Sequence, residues 1–251
     1  MTFEKTQKEV EIMTECGKRL KKATDQLIPS IKPGESTFDI DVRATKLIKE
    51  NGLDVSFSTV EGYKYATCLP VNEQAVHTPP KKDAILKHGD VLTIDMGGLY
   101  KGYHTDWATT IIVGNLRDER KVAFLKAGQD ALSKTLAALG VGVRLGMVGK
   151  IMQETIEGAG YKVLKDLTGH GIGKELHEDP YIPNIVYKPI ERTYQIKPGF
   201  VAAIEIIYSE STSKIIQTNP DKWSIDTADG SLAACFEHTV SIDQNGVHIL
   251  T

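Results

Sequence analysis

The sequence predicts an α+β fold on a duplicated plan, with helices followed by strands, then helices followed by strands again. Apolar residues recur at helical spacing through the first fifty positions and again from 116 to 159, and each block gives way to strand-like runs bounded by glycine, proline or asparagine. No low-complexity linker separates the two halves, so the strands are expected to share one sheet with the helices on its outer face, in a single domain spanning residues 1–251.

The elements follow in order. Val10, Met13, Leu20 and Leu27 mark an amphipathic helix between Glu4 and Leu27, which Pro29 ends. Pro33-Gly34 makes a turn, Ser36 or Thr37 can cap a second helix, and that helix runs to Asn51-Gly52. Val55 to Val60 and Ala66 to Val71 read as short strands, and Val91 to Gly97 as a strong one that turns at Leu99 to Gly102 into Tyr103 to Val113. Leu116 to Leu139 and Arg144 to Ala159 are two further helices between glycine-containing breaks. Phe200 to Tyr208, Lys214 to Gln217, Leu232 to Ile242 and Val247 to Leu250 return to strand.

Composition narrows the function. The 251 residues are 41% hydrophobic and 25% charged, enough for a substantial core, and the net charge of −3 is spread without the polybasic stripe that nucleic acid or an anionic membrane would call for. Cys16, Cys68 and Cys235 form no C-x-x-C pair, which argues against a disulfide framework or zinc knuckle and fits a reducing cytoplasm. The charged N-terminus has no apolar signal core and no run approaches the ~20 apolar residues of a membrane span, so neither secretion nor insertion is expected.

Chemistry concentrates in two features. Gly169 to Pro180 sets His170 and His177 seven residues apart in a glycine-punctuated, acid-flanked segment, whose G-H-G-I-G matches neither a phosphate loop nor a dinucleotide fingerprint. Asp95, Asp106, Glu205 and Glu237 each stand inside an apolar strand-like run. An acid in a strand ordinarily faces solvent, but four so flanked suggest burial. Their same-face neighbours at ±2 are mostly small, including Gly97, Ala108, Ala203 and Cys235. A hairpin symmetric about Tyr100-Lys101 would set Asp95 directly opposite Asp106, a destabilising pairing of like charges. These runs contain no lysine or arginine, so mobile cations are the remaining partners. Four carboxylates are neutralised by two divalent ions, one imidazole completes an oxygen and nitrogen set, and such a pair, roughly 3.5 to 4 Å apart, activates water and polarises a carbonyl. Manganese, iron, cobalt and zinc all suit these ligands. His77, in VNEQAVHTPP, is a further candidate site residue, and His88, His104, His238 and His248 read as structural.

Assembled, these residues resemble the type I methionine aminopeptidases of the pita-bread fold. IDMG-x6-HTD, GHGIG-x3-HEDP, AAIE and FEHTV occur in that family's order and at compatible spacings, and the likeness covers nearly the whole chain. It implies a pseudo-twofold, curved antiparallel sheet with helices outside. It further implies that Asp95, Asp106, His170, Glu205 and Glu237 bind two divalent metals, with Asp106 and Glu237 bridging. His77 and His177 would contact substrate, and Glu205 would carry a proton. Tyr63, Cys68 and Trp223 would wall the pocket for the first side chain. Implied partners are the N-termini of newly made polypeptides, with ribosome association, and the protein is expected to be a cytoplasmic monomer. Departures from the family pattern are His77-Thr78-Pro79-Pro80 in place of H-G-I-P, Ile206 after Glu205 in place of proline, Phe57 and Val60 in the pocket, and Leu176 before the second histidine.

Rival expectations are a proline-specific aminopeptidase or dipeptidase on the same fold, against which the absence of sequence for an extra N-terminal domain speaks, and a non-catalytic homologue, against which the full ligand set speaks. A dinuclear phosphoesterase would need basic residues to greet a phosphate, and the strand runs that carry the acids contain none.

Overall fold

The computed structural model describes residues 3–115 and 118–251. Helix α1 spans Gln7–Leu27, opened by a capping box in which Thr6 accepts from the Glu9 N–H and the Glu9 carboxylate accepts from the Thr6 N–H. Helix α2 spans Thr37–Glu50 with Ser36 as its cap. Strands β1 (Asp54–Val55), β2 (Thr67–Cys68) and β3 (Gln74–Val76) are short, whereas β4 (Val91–Tyr100) and β5 (Tyr103–Ile112) form a long hairpin. Helices α3 (Glu119–Ala138) and α4 (Leu145–Gly158) follow, and the sequence reading that began this block at Leu116 falls partly outside the described residues. Strands β6 (Lys162–Val163), β7 (Thr168–Gly171), β8 (Glu178–Pro183), β9 (Phe200–Ser209), β10 (Ile215–Ile216), β11 (Ile225–Thr227), β12 (Ala233–Asp243) and β13 (Gly246–Ile249) complete the chain.

The main sheet runs β1-β4-β5-β12-β9-β7-β8, with β2 also on β4, β13 on β12 and β6 on β9; every pairing is antiparallel. The duplicated plan is visible in the packing. α1 lies on β4 and β5 as α3 lies on β9 and β12, and α1 pairs with α2 as α3 pairs with α4. Alternation assigns the faces: Leu92, Ile94 and Met96 of β4 join α1 and α2 in one core, while Ile204, Ile206 and Phe236 join α3 and α4 in another. The odd-numbered residues between them, Asp95, Glu205 and Glu237 among them, therefore face away from the helices.

Three expectations change. Val55 to Val60 is not a strand; after β1 the chain forms a single 3-10 turn over Phe57–Thr59. The alternating pattern there is overridden by tertiary packing, because Ser56 and Phe57 close onto the bare Cα of Gly97 and Ser56 Oγ lies 2.7 Å from His104 Nδ1. The run read from Ala66 to Val71 is extended only at Thr67–Cys68, with β3 formed just beyond it. The β4–β5 hairpin turns at Lys101 and Gly102, both at positive φ, so Asp95 faces Ala108 and Asp106 faces Gly97; the two acids are diagonal neighbours rather than directly opposed. The shift is two residues, so both stay on one face.

Candidate metal centre

Register arranges the acids in rows across the sheet. Asp95 is opposite Ala108, Ala108 is opposite Glu237, and Glu237 is opposite Glu205, so one line crosses β4, β5, β12 and β9. Ala203, opposite both Thr239 and His170, lies one same-face step away. Asp106 joins this second row through Thr239, whose hydroxyl donates to the Asp106 carbonyl and accepts from its N–H at 2.8 Å each. The directly facing like charges are thus Glu205 and Glu237. Ala108 and Ala203 occupy positions where larger side chains would fill the space between the acids.

Asp106, His170 and Glu237 offer ligand atoms that all lie within 4.8 Å of one another, and all three are buried. His170 Nε2 lies 3.9 Å from Asp106 Oδ2 and 3.8 Å from Glu205 Oε1. Its Nδ1 lies 2.9 Å from the Gly171 carbonyl, an acceptor that fixes the proton on Nδ1 and leaves the Nε2 lone pair facing carboxylates, an arrangement that itself calls for a cation. Gly171 is required here, because an added Cβ would run into the Asp179 carbonyl of β8.

Two carboxylate oxygens, Asp95 Oδ1 and Glu237 Oε1, are buried without any hydrogen-bond donor, and among the described residues these acids have no lysine or arginine partner. Such orphaned acceptors cost on the order of 1–3 kcal/mol each, more when charged. Burial, with mutual repulsion added, raises the carboxyls of Asp95, Glu205 and Glu237 well above their ordinary range, and burial pushes Asp106 up to about 7. Burial also drives His170 down to about 3. The carboxyls are therefore biased toward their neutral form, a bias that a divalent ion reverses, whereas His170 is already the neutral imidazole that ligates a metal. Cys68 and Cys235 line the same cavity, but burial followed by the nearby carboxylates raises both thiols far above their ordinary range, so neither offers a thiolate. The donor set fits divalent metal.

The acids form one wall of a cavity of about 380 Å³. Its apolar side is built by Phe57, Val60, Tyr63, Cys68, Leu176 and Trp223. Tyr63 and Trp223 meet edge to face at 5.1 Å, and the Tyr63 hydroxyl donates to the Thr67 carbonyl at 2.7 Å. That loop is anchored from α2, where buried Asp41 Oδ1 accepts from the N–H groups of Ala66 and Thr67 and from the Thr67 hydroxyl at 2.9–3.0 Å. His77, at positive φ after β3, and His177 also line the cavity. Both rings stay open to its water, yet the surrounding protein lowers both pKa values, so the imidazoles are neutral near pH 7. The His170 and His177 rings stand 4.5 Å apart.

All ten sequence-predicted positions, Tyr63, Cys68, His77, Asp95, Asp106, His170, His177, Glu205, Trp223 and Glu237, line this one cavity. Sequence reasoning missed Asp166, Leu167, Thr168, Tyr181 and Ile207 as lining residues, and Asp41 as the loop's anchor. Ile207 was recoverable as the same-face neighbour of Glu205; the others carry no local signal.

The sequence profile described as metallopeptidase family M24 matches residues 11–244. A Bacillus subtilis protein named methionine aminopeptidase 1 is 38% identical over 247 residues, covering 98% of this chain and 98% of that one. A crystal structure of methionine aminopeptidase from Thermotoga maritima superposes with a TM-score of 0.93 at 38% identity, covering 98% of each chain. The prolidase of Pyrococcus furiosus shares the fold at a TM-score of 0.76 and 24% identity, with 65% of its own length covered.

Proposed function

The chain belongs to metallopeptidase family M24, and from that premise we infer that it removes the N-terminal methionine of polypeptides by metal-dependent hydrolysis of the first peptide bond. The observation that carries this reading is the row of carboxylates, with donorless oxygens on Asp95 and Glu237, set against a sulfur- and aromatic-walled pocket in one cavity. The protein binds divalent metal. Asp95, Asp106, His170, Glu205 and Glu237 would hold two ions of the manganese, iron, cobalt or zinc kind. Ions bound there supply Lewis acidity and an activated water.

The chain's own residues do the rest. Phe57, Tyr63, Cys68 and Trp223 enclose the first side chain, and an unbranched thioether suits such a soft, apolar wall. His177, neutral and open to the cavity, donates a hydrogen bond to the carbonyl oxygen as negative charge develops on it, a role typically worth roughly 2.7–4 kcal/mol. His77 holds the scissile amide nitrogen. Glu205, a carboxylate within the same cavity, moves a proton from the attacking water to the leaving amine. The substrates are the N-termini of newly made chains, met in the cytoplasm at the ribosome by a monomeric single catalytic domain. Metal-loaded protein should cleave Met-Ala peptides far faster than Leu-Ala or Ala-Pro peptides; equal rates, or a preference for Xaa-Pro, would overturn the assignment.

A further inference from the structure

The cavity opens at a rim that this chemistry does not use. Tyr181 and Asp166 line it beside β7 and β8, and Tyr181 leaves 66% of its surface exposed. Register places the ring on the site face. Ile182 is opposite Gly169 and packs into the helix-side core, so its neighbour Tyr181 projects the other way, to the side of Thr168 and His170. The walls of the first-residue pocket hang from the far edge of the sheet, where β2 with Cys68 pairs to β4, while β8 ends the opposite edge.

A peptide with its first side chain at Tyr63 and Trp223 and its first carbonyl over the acids must send its later residues out through the open mouth. Tyr181 and Asp166 border that mouth. A ring so exposed contributes little to folding, yet its flat face is a low-entropy platform for a passing peptide, and the Asp166 carboxylate favours a basic side chain nearby. We propose that Tyr181 and Asp166 form a subsite for the substrate residues beyond the second, with a preference for a basic residue. The subsite rests on the aminopeptidase reading above and extends it to longer chains.

The test measures kcat and KM of the metal-loaded protein on Met-Ala, Met-Ala-Ala-Ala, Met-Ala-Lys-Ala and Met-Ala-Glu-Ala. Tyr181→Ala should keep kcat/KM on the dipeptide within about twofold and lose about fivefold on the tetrapeptides, through KM. Asp166→Asn should abolish a preference of about two- to threefold for lysine over glutamate at the third position. Equal losses on dipeptide and tetrapeptide, or no loss on either, would refute the Tyr181 platform, and a charge preference that survives Asp166→Asn would refute the acid's part. Failure of the unmodified protein on every Met-Ala peptide would instead refute the aminopeptidase reading beneath it.

Discussion

Glu237→Gln should stabilise the metal-stripped protein and weaken its response to metal. Glu237 is 3% exposed, faces Glu205 directly across the β9–β12 ladder, and has one oxygen without a donor. Two carboxylates about 5 Å apart repel by about 3 kcal/mol at an effective dielectric of 20. Protons taken up by the cluster relieve part of this, leaving roughly 1–2 kcal/mol at pH 8, or a rise of roughly 2–8 °C in Tm for a chain of this size. The new amide can donate to the facing Glu205 carboxylate, so a repulsion is replaced by a hydrogen bond. The direction with pH follows from linkage. These carboxyls are raised in the folded state, so folded protein holds protons that unfolded chain releases, and stripped protein loses stability as pH climbs through the window between ordinary carboxyl values and the raised ones, which for Asp106 extends to about 7. Metal displaces those protons, so the metal-induced rise in Tm should grow from pH 5 to pH 8 and be much reduced in Glu237→Gln. Thermal scans of chelator-treated and metal-loaded protein at both pH values provide the assay. A stripped variant less stable than the parent, or one with an undiminished metal response, would show that these acids are not a mutually repelling cation site.

His177→Ala should retain metal binding while kcat on Met-Ala peptides falls by about 10²–10³; metal loss measured by elemental analysis would make His177 a ligand instead. Asp41→Ala removes three hydrogen bonds and strands the buried N–H groups of Ala66 and Thr67, so it should lower stability by about 2–4 kcal/mol in denaturant titration and raise KM for methionyl peptides as Tyr63 loosens, with Asp41→Asn milder in both; an unchanged midpoint would mean the loop is held otherwise.

What could be read from the amino acids depended on how local the signal was. Asp95, Asp106, Glu205 and Glu237 stood out because a strand alternates with period two, so one acid inside an apolar run announces a face on its own. Their pairing was less legible, because the hairpin register turned on Lys101, and lysine gives no hint of positive φ. β7 and β8 escaped notice as strands: Thr168–Gly171 is half glycine and Glu178–Pro183 carries two prolines, so β8 owes its extension to pairing with β7, and β7 to pairing with β8 and β9, rather than to propensity. The segment around Phe57 failed in the opposite sense, an alternating pattern bent into a turn by the approach to Gly97.

The small residues tie these cases together. Ala108 stands between Asp95 and Glu237 in the register, and Ala203 is the β9 partner of His170. In the sequence they were only unremarkable neighbours at ±2; in the sheet they keep open the volume between acids on four strands. Alanine at these two positions sets no bulky side chain between the strands that carry the acids, and the two acids that flank Ala108 in the register, Asp95 and Glu237, are the ones whose oxygens lack donors. The same register that repels Glu205 from Glu237 gathers the carboxylates that a divalent metal would neutralise.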